Sequence, residues 1–417
     1  MNKDEKTVLY VTRDLERALG IAPNPKYQIV TNRTPYSESI QAQFPGFIHF
    51  VESQEILHTY GLINQFNFDS FFKLSNLQSS NVAIVVFKNS SVIENLVRKK
   101  GLFLLNPSFE LSEKIENKIS QSNWLGDLGN KYLPPHKIDI MKNIIWAKKP
   151  LVIQWSHGHT GDGTFIVNSE KELASIRNKF PERYARVSDY INCSTFTVNV
   201  VVAGNNVLVG NISYQITGLQ PFTDNIFSTI GNDWSVVGSL LSDTEIKYIE
   251  DMAVEIGTKM SGQGWRGLFG IDVIKDLERN VIHLIEINAR LPASTSFESK
   301  LQNELKKSAH IEGINIFEAH IDALKGQPVT QKLIKINDGS QVVLRVKKDI
   351  DHISDEIIGS LQLSGYTIIQ YQNTELNMDL LRIQNPKGIM SGHNSWNVRG
   401  KEIVDTLTSM NLDLGKI

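Results

Sequence analysis

The apolar residues of this chain fall into short runs whose pattern changes along its length. In the first hundred or so residues the runs are unbroken: Val8-Leu9-Tyr10-Val11, Tyr27-Gln28-Ile29-Val30, Gly46-Phe47-Ile48-His49-Phe50 and Val82-Ala83-Ile84-Val85-Val86-Phe87. Unbroken runs of strand length suit strands covered on both faces. The more polar pieces between them can carry helices, which predicts a small doubly wound α/β leading domain over residues 1–105. No Gly-x-Gly-x-x-Gly follows the first run, so a dinucleotide site is not supported there.

Asn106-Pro107-Ser108 punctuates the chain, and a helix is predicted over Leu111 to Ile119, carrying Lys114 and Lys118, before Pro134-Pro135 breaks it again. Leu151 to Ser156 and Phe165 to Val167 read as strands. Ser169-x-x-Glu172 is a capping box that opens a helix with Leu173, Ile176 and Phe180 on one face. Ser242-x-x-Glu245 opens another, bearing Ile246, Ile249, Ala253, Ile256 and Met260 and closed by Gly262. Tyr184 to Ile191 and Thr195 to Val202 alternate as strands do, and Gly204-Asn205-Asn206 is a hairpin turn leading to Val207-Leu208-Val209. Residues 106–330 therefore read as an α+β body built on antiparallel sheets. Beyond Lys325-Gly326, strand candidates at Val342 to Val346 and Thr367 to Tyr371 suit a small C-terminal accessory lobe over 331–417.

The most informative alternation is Gly267-Leu268-Phe269-Gly270-Ile271-Asp272-Val273-Ile274 followed by His283-Leu284-Ile285-Glu286-Ile287-Asn288-Ala289-Arg290. The polar stretch Asp276 to Asn280 can turn, and a hairpin centred near Arg279 sets Asp272 opposite Glu286. Side chains alternate along a strand, so Glu286, Asn288 and Arg290 share one face. Two carboxylates, an amide oxygen and a guanidinium then converge. Buried acids need a partner or a cation, and oxygen-only ligands suit Mg2+, which commonly takes one or two carboxylates plus phosphate oxygens. The plain alternative is a solvated edge ribbon with Arg290 paired to a neighbour. Four such groups in register weigh toward a cradle for a magnesium-bound polyphosphate.

Composition narrows the setting. A chain of 417 residues exceeds one ordinary core, so about two to four domains or lobes are expected. Hydrophobic residues at 41% and charged residues at 21% mark a globular protein. A net charge of −2 gives no global pull toward nucleic acid or anionic membrane. Cys193 is the only cysteine, which excludes an internal disulfide and a Cys-rich zinc site and fits a reducing cytoplasm. It reads as a small core residue. The charged start, Met1 to Lys6, runs into too short an apolar stretch for a signal peptide, and no segment approaches a membrane span, so a cytoplasmic protein is expected.

Between the strands at 151–156 and 165–167 lies His157-Gly158-His159-Thr160-Gly161-Asp162-Gly163-Thr164. Closely spaced glycines let backbone N–H groups approach an anion without a Cβ in the way. An exposed β-turn is the plain alternative. His157 and His159 without a third ligand make a poor zinc site. Glycine loop, helix and acidic hairpin, in that order over roughly residues 106 to 300, resemble the ATP-grasp superfamily, most of whose members ligate a carboxylate to an amine. The specific part of the resemblance is the stretch Gly267 to Arg290, ending Glu-x-Asn-x-Arg.

The resemblance implies an α/β leading domain, an ATP-grasp body whose two lobes sandwich the nucleotide between antiparallel sheets, with a lid at roughly 115–185, and a C-terminal lobe. It implies ATP and two Mg2+ ions, with Mn2+ able to substitute, and small-molecule carboxylate and amine substrates, with a homodimer left open. Asp272 would hold the first ion, Glu286 would bridge both, and Asn288 would complete the second. Arg290, with Asn288, would face the transferred phosphate and the acyl phosphate it becomes. Gly158, Gly161, Gly163 and Thr164 would close over the β- and γ-phosphates, and Ser188, Asp189, Tyr190 and Ile191 would line adenine. One departure stands out: Gln154 occupies the position where the family usually places a lysine. Lys114 loosely matches an earlier phosphate-touching lysine, and Arg186 is a further cation able to compensate. The rival readings are carboxylation through carboxyphosphate and an ATP-binding protein without turnover that serves as a sensor or in assembly.

Overall fold

A computed structural model describes residues 6–156, 163–348, 350 and 352–413. Strands β1 (Thr7–Val11), β2 (Tyr27–Asn32), β3 (Ile48–Val51), β4 (Val82–Val85) and β5 (Phe103–Leu104) form a parallel sheet in the order β3-β2-β1-β4-β5. β1 and β4 are buried along their whole length, which is why they read as unbroken apolar runs. The chain order reverses between β1 and β4, and that reversal opens a crevice at their carboxyl ends. Arg17, just past β1, lays its guanidinium 4.6 Å above the ring of Phe87, just past β4.

A second, antiparallel sheet contains β6 (His136–Ile140), β7 (Leu151–Trp155), β8 (Thr164–Val167) and β9 (Tyr184–Asp189) in the order β6-β9-β7-β8. The helix Glu170–Lys179 covers one face, packing Leu173, Ile176 and Phe180 against Ile153, Trp155 and Val167. Ser169 caps this helix, its Oγ accepting from the Glu172 N–H at 3.2 Å.

The largest sheet contains β10 (Cys193–Ala203), β11 (Asn206–Val209), β12 (Ser213–Thr217), β13 (Thr229–Asp233), β14 (Gly267–Asp276), β15 (Ile282–Asn288), β16 (Ser340–Arg345), β17 (Thr367–Gln370) and β18 (Asp379–Asn385). Its order is β15-β14-β10-β12-β13-β16-β18-β17, with β11 paired to β10. The helix Asp243–Ser261 opens with the full capping box between Ser242 and Glu245 and buries Ile249, Met252, Ala253, Ile256 and Met260 in the core of this sheet. Strands after residue 330 join the same sheet through β13 and β16. That junction requires Gly231, because a Cβ there would lie 2.0 Å from the Gln341 carbonyl oxygen. A short hairpin, β19 (Met390–Gly392) with β20 (Ser395–Trp396), leads to the helix Val398–Asp413. Among the described residues no helix is long and apolar enough to cross a membrane.

Two differences from the sequence reading bear on the site. The single helix expected over Leu111 to Ile119 is two helices, Phe109–Glu116 and Lys118–Leu125. Asn117 breaks them with an extended backbone, and its Oδ1 accepts from the N–H groups of Ile119 and Ser120 at 3.0 and 3.3 Å. Asparagine is among the best helix caps and competes with helix continuation. The strands β12, β13 and β18 were not predicted, because buried polar residues such as Asn232, Asp233, Arg382 and Gln384 interrupt their apolar alternation.

Candidate active site

The hairpin of β14 and β15 forms in the predicted register, with Asp272 opposite Glu286 and Gly270 opposite Asn288. Pairing then skips a residue, so Val273 faces Leu284 and Ile285 has no partner on β14. Such a bulge leaves a backbone group free for another contact. The Ile285 carbonyl accepts from Nη2 of Arg186 at 2.6 Å.

Asp272 is buried. Its Oδ1 accepts from the Thr197 hydroxyl at 2.6 Å, and its Oδ2 from the Asn288 amide at 3.0 Å. Burial and the facing Glu286 raise its pKa, against those two hydrogen bonds and Arg290. Burial acts on Glu286 in the same direction, but Lys118 and Arg290 outweigh it and hold that carboxyl below the ordinary range. Lys118 Nζ donates to Glu286 Oε1 at 3.0 Å. Arg290 donates to Glu116, which also takes Lys88 Nζ at 2.9 Å. The two acids thus sit across from one another with their affinities for protons pushed apart.

Among the described residues no three His, Cys, Asp or Glu side chains gather as a metal site. The oxygen donors facing one another are the carboxylates of Asp272 and Glu286 and the amide of Asn288. Hard oxygens, with phosphate and water completing the shell, fit Mg2+.

This hairpin lies in a cleft of about 670 Å3 between the β6–β9 sheet and the largest sheet. Gln154, Gly163, Thr164 and the whole of Ser188 to Ile191 line it from the smaller sheet. Asp189 is half-exposed and pairs with Lys149 Nζ at 2.5 Å. Gly158 and Gly161, with His157 and His159, lie outside the described residues. Lys114 is exposed and is not part of the cleft wall, whereas Lys118, one turn on and past the Asn117 break, is. Gln154 Oε1 accepts from Arg186 Nε at 3.0 Å and Nη2 at 2.8 Å, and burial lowers the Arg186 pKa to about 10 against the opposing pull of Glu286.

Several groups of the cleft carry no local signal in the sequence. Thr197 holds Asp272. Tyr214 hydrogen-bonds His393 Nδ1 at 3.0 Å, so the turn between β19 and β20 closes one side of the cleft through His393 and Asn394. Cys193, expected in the core, is instead partly buried on the cleft wall, its thiol raised by burial to about 11. The break at Asn117 was the one signal in the sequence able to single out Lys118.

Residues 115–294 match the family model described as an ATP-grasp domain. The chain carries an ATP-grasp domain. That domain spans the Lys118 helix, the β6–β9 sheet and the acidic hairpin, all of which meet at the cleft. Solved structures of the same fold extend the likeness to the rest of the chain. N5-carboxyaminoimidazole synthetase from Staphylococcus aureus complexed with ADP aligns over 98% of this chain and 100% of its own, with a TM-score of 0.63 at 14% identity. The biotin carboxylase–β,γ-ATP complex from Campylobacter jejuni aligns over 93% and 89%, with a TM-score of 0.60 at 14% identity. The biotin carboxylase domain of the Hydrogenobacter thermophilus 2-oxoglutarate carboxylase, in complex with MgADP, ADP and bicarbonate, aligns over 91% and 86%, with a TM-score of 0.57 at 13% identity. No curated protein matches the chain.

Proposed function

We propose that this protein is an ATP- and Mg2+-dependent, ADP-forming ligase that activates a carboxylate as an acyl phosphate and joins it to an amine or similar nucleophile. The carrying observation is the facing pair Asp272 and Glu286, flanked by Asn288, Lys118 and Arg290 in one cleft. The chain divides, on this reading, into a leading domain over 1–105, the ATP-grasp body over 106–330 with its lid at roughly 115–185, and a C-terminal lobe over 331–417.

A substrate carboxylate oxygen attacks the γ-phosphorus, the bond from that phosphorus to the ADP oxygen breaks, and ADP leaves. The amine nitrogen then attacks the acyl carbon, the carbon–oxygen bond to phosphate breaks, and phosphate departs as the nitrogen loses a proton to solvent. Asp272, Glu286 and Asn288 would hold Mg2+, as two ions with Mn2+ able to replace them, and the bound cation would neutralise polyphosphate charge. Lys118 and Arg290 bring positive charge to the same wall. Positioning and electrostatics supply most of the acceleration in such transfers. The backbone of Ser188 to Ile191 offers adenine a lining, and Gly163 and Thr164, which end the glycine stretch, line the same cleft, where exclusion of water would protect the acyl phosphate.

Phosphate release from ATP with Mg2+ tests the reading, run with and without pools of small carboxylates and amines. Phosphate and ADP appearing only with one acid supports ligation and names half the substrate pair. A second reading, carboxylation through carboxyphosphate, is favoured by likeness to a biotin carboxylase domain bound to bicarbonate. Release that depends on bicarbonate alone would choose it. Glu286→Gln is expected to abolish Mg2+-dependent turnover while leaving the melting temperature near that of the parent. Retained turnover would remove Glu286 from the metal site.

A further inference from the structure

Arg186 is a buried cation on the wall of the cleft, 4% exposed, and among the described residues it forms no ion pair. Its hydrogen bonds run to neutral oxygens: Gln154 Oε1 from Nε and Nη2, the Ile285 carbonyl from Nη2, and Gln121 Oε1 from Nη1 at a long 3.4 Å. A guanidinium carries five N–H groups, so at least one on Nη1 is left over. The neighbouring cations differ. Lys118 is paired with Glu286, and Arg290 and Lys88 share Glu116. A buried charge with no direct ion pair is costly, and this one, on which Glu286 acts only from a distance, opens onto a cleft.

The strand register says where its anion would lie. Gln154 pairs directly with Arg186 across β7 and β9, and with Thr164 across β7 and β8. The Trp155 N–H donates to the Gly163 carbonyl at 2.9 Å. Gln154 and Val152 face the cleft while Leu151, Ile153 and Trp155 fill the core behind them. Arg186 therefore stands beside Gln154 and two strands from Thr164, on the wall shared by Lys118 and Glu286. An amide at position 154 has a further consequence: it aims the guanidinium while leaving its charge uncancelled.

We propose that Arg186 is a phosphate-binding residue that takes a phosphoryl oxygen of the nucleotide, with Gln154 as the positioning residue that aims it. This rests on the ATP-dependent reading above. The anion is assigned to the nucleotide and not to the acid substrate because Arg186 shares its wall of the cleft with Lys118, Thr164 and Glu286.

Calorimetric titrations of ATP, ADP, adenosine and inorganic tripolyphosphate into the parent, Arg186→Gln and Gln154→Glu test it, alongside thermal melting. Gln154→Glu keeps Arg186 in place and sets a carboxylate against it. Both variants should weaken ATP and ADP by roughly 10- to 100-fold, as expected for a hydrogen bond to a charged group, and leave adenosine unchanged. Gln154→Glu should also raise the melting temperature, so stability and affinity move in opposite directions, which a purely structural role for Gln154 would not produce. Equal losses for ATP and adenosine would overturn the proposal, as would unchanged ATP affinity in Gln154→Glu. Intact ATP and ADP binding in Arg186→Gln would likewise overturn it. A parent protein that binds no ATP would sink the ligase reading. In that case Arg186-dependent binding of tripolyphosphate would still support the phosphoryl site, and its absence would overturn that as well.

Discussion

Two lysines four positions apart on one short stretch meet different fates. Lys114 is exposed on the helix Phe109–Glu116, and Lys118 is buried with its amine on Glu286. A charge within hydrogen-bond distance of the acidic hairpin acts in a site shielded from water, where electrostatic contacts are worth more than in solvent. Lys118→Met is therefore expected to lower kcat by roughly 100-fold, and Lys114→Met to leave it within a factor of about two, its contribution being that of a solvated surface charge. A coupled ADP-release assay on both variants checks this, and equal losses would erase the distinction. Asp272 and Glu286 show the same dependence on neighbours: identical chemistry, yet Thr197 and Asn288 are neutral partners while Lys118 is a charged one.

At the scale of elements, local devices aim these side chains. The Asn117 cap turns the chain between two helices and delivers Lys118 to the cleft. Asn117→Ala should cost about 1 kcal/mol of stability, the usual worth of an N-cap. It should also lower turnover more than that loss explains, because Lys118 loses its fixed entry. Urea unfolding together with the ADP assay would read both, and a stability loss without any change in turnover would make the cap a purely structural feature. The bulge at Ile285 works similarly for Arg186, presenting a carbonyl that a regular ladder would have used. At the start of β14, Gly267 has φ +87° and a Cβ there would lie 2.6 Å from His320 Nδ1, which itself accepts from the Leu268 N–H at 2.9 Å. The strand bearing Asp272 is seated on that close approach.

Across the whole molecule, buried polar contacts tie the leading α/β unit to the rest. Glu16, beyond β1, takes Lys300 Nζ at 2.5 Å, the Tyr36 hydroxyl at 2.7 Å and the Gln384 amide at 2.8 Å. Arg382 on β18 lies 3.8 Å from Asp14 and 3.0 Å from Asp379. Burial works against the Glu16 charge, but Lys300 and the other donors hold its pKa below the ordinary 4.5. A depressed carboxylate contributes stability above its unfolded pKa and loses it as pH falls through the folded value. Lys300→Met leaves Glu16 buried without its cation, and a loss of about 3 kcal/mol is expected near neutral pH. The gap between variant and parent should narrow below about pH 4, as Glu16 takes up a proton. Denaturant melts at about pH 7 and about pH 3 check it. A gap independent of pH would show that packing, not charge, carries the contact.

What could be read in the chain by itself was whatever local periodicity decides. The parallel strands announced themselves because both of their faces are buried, and the β14–β15 hairpin because period-two alternation and a polar turn set its register without reference to anything distant. The facing positions of Asp272, Glu286 and Asn288 follow from that register. Which cations meet them depended on contacts across long separations in the chain: Lys118 reaches Glu286 over 168 residues and Arg186 reaches Ile285 over 99. The pairing of Gln154 with Arg186, the closure of the cleft by His393 and the joining of β16 to β13 arise between elements whose meeting no nearby residue signals. Sequence periodicity decides which face a side chain takes on its own element. Only the packing of sheets against one another decides what that face confronts, and at this cleft the second question sets the charge.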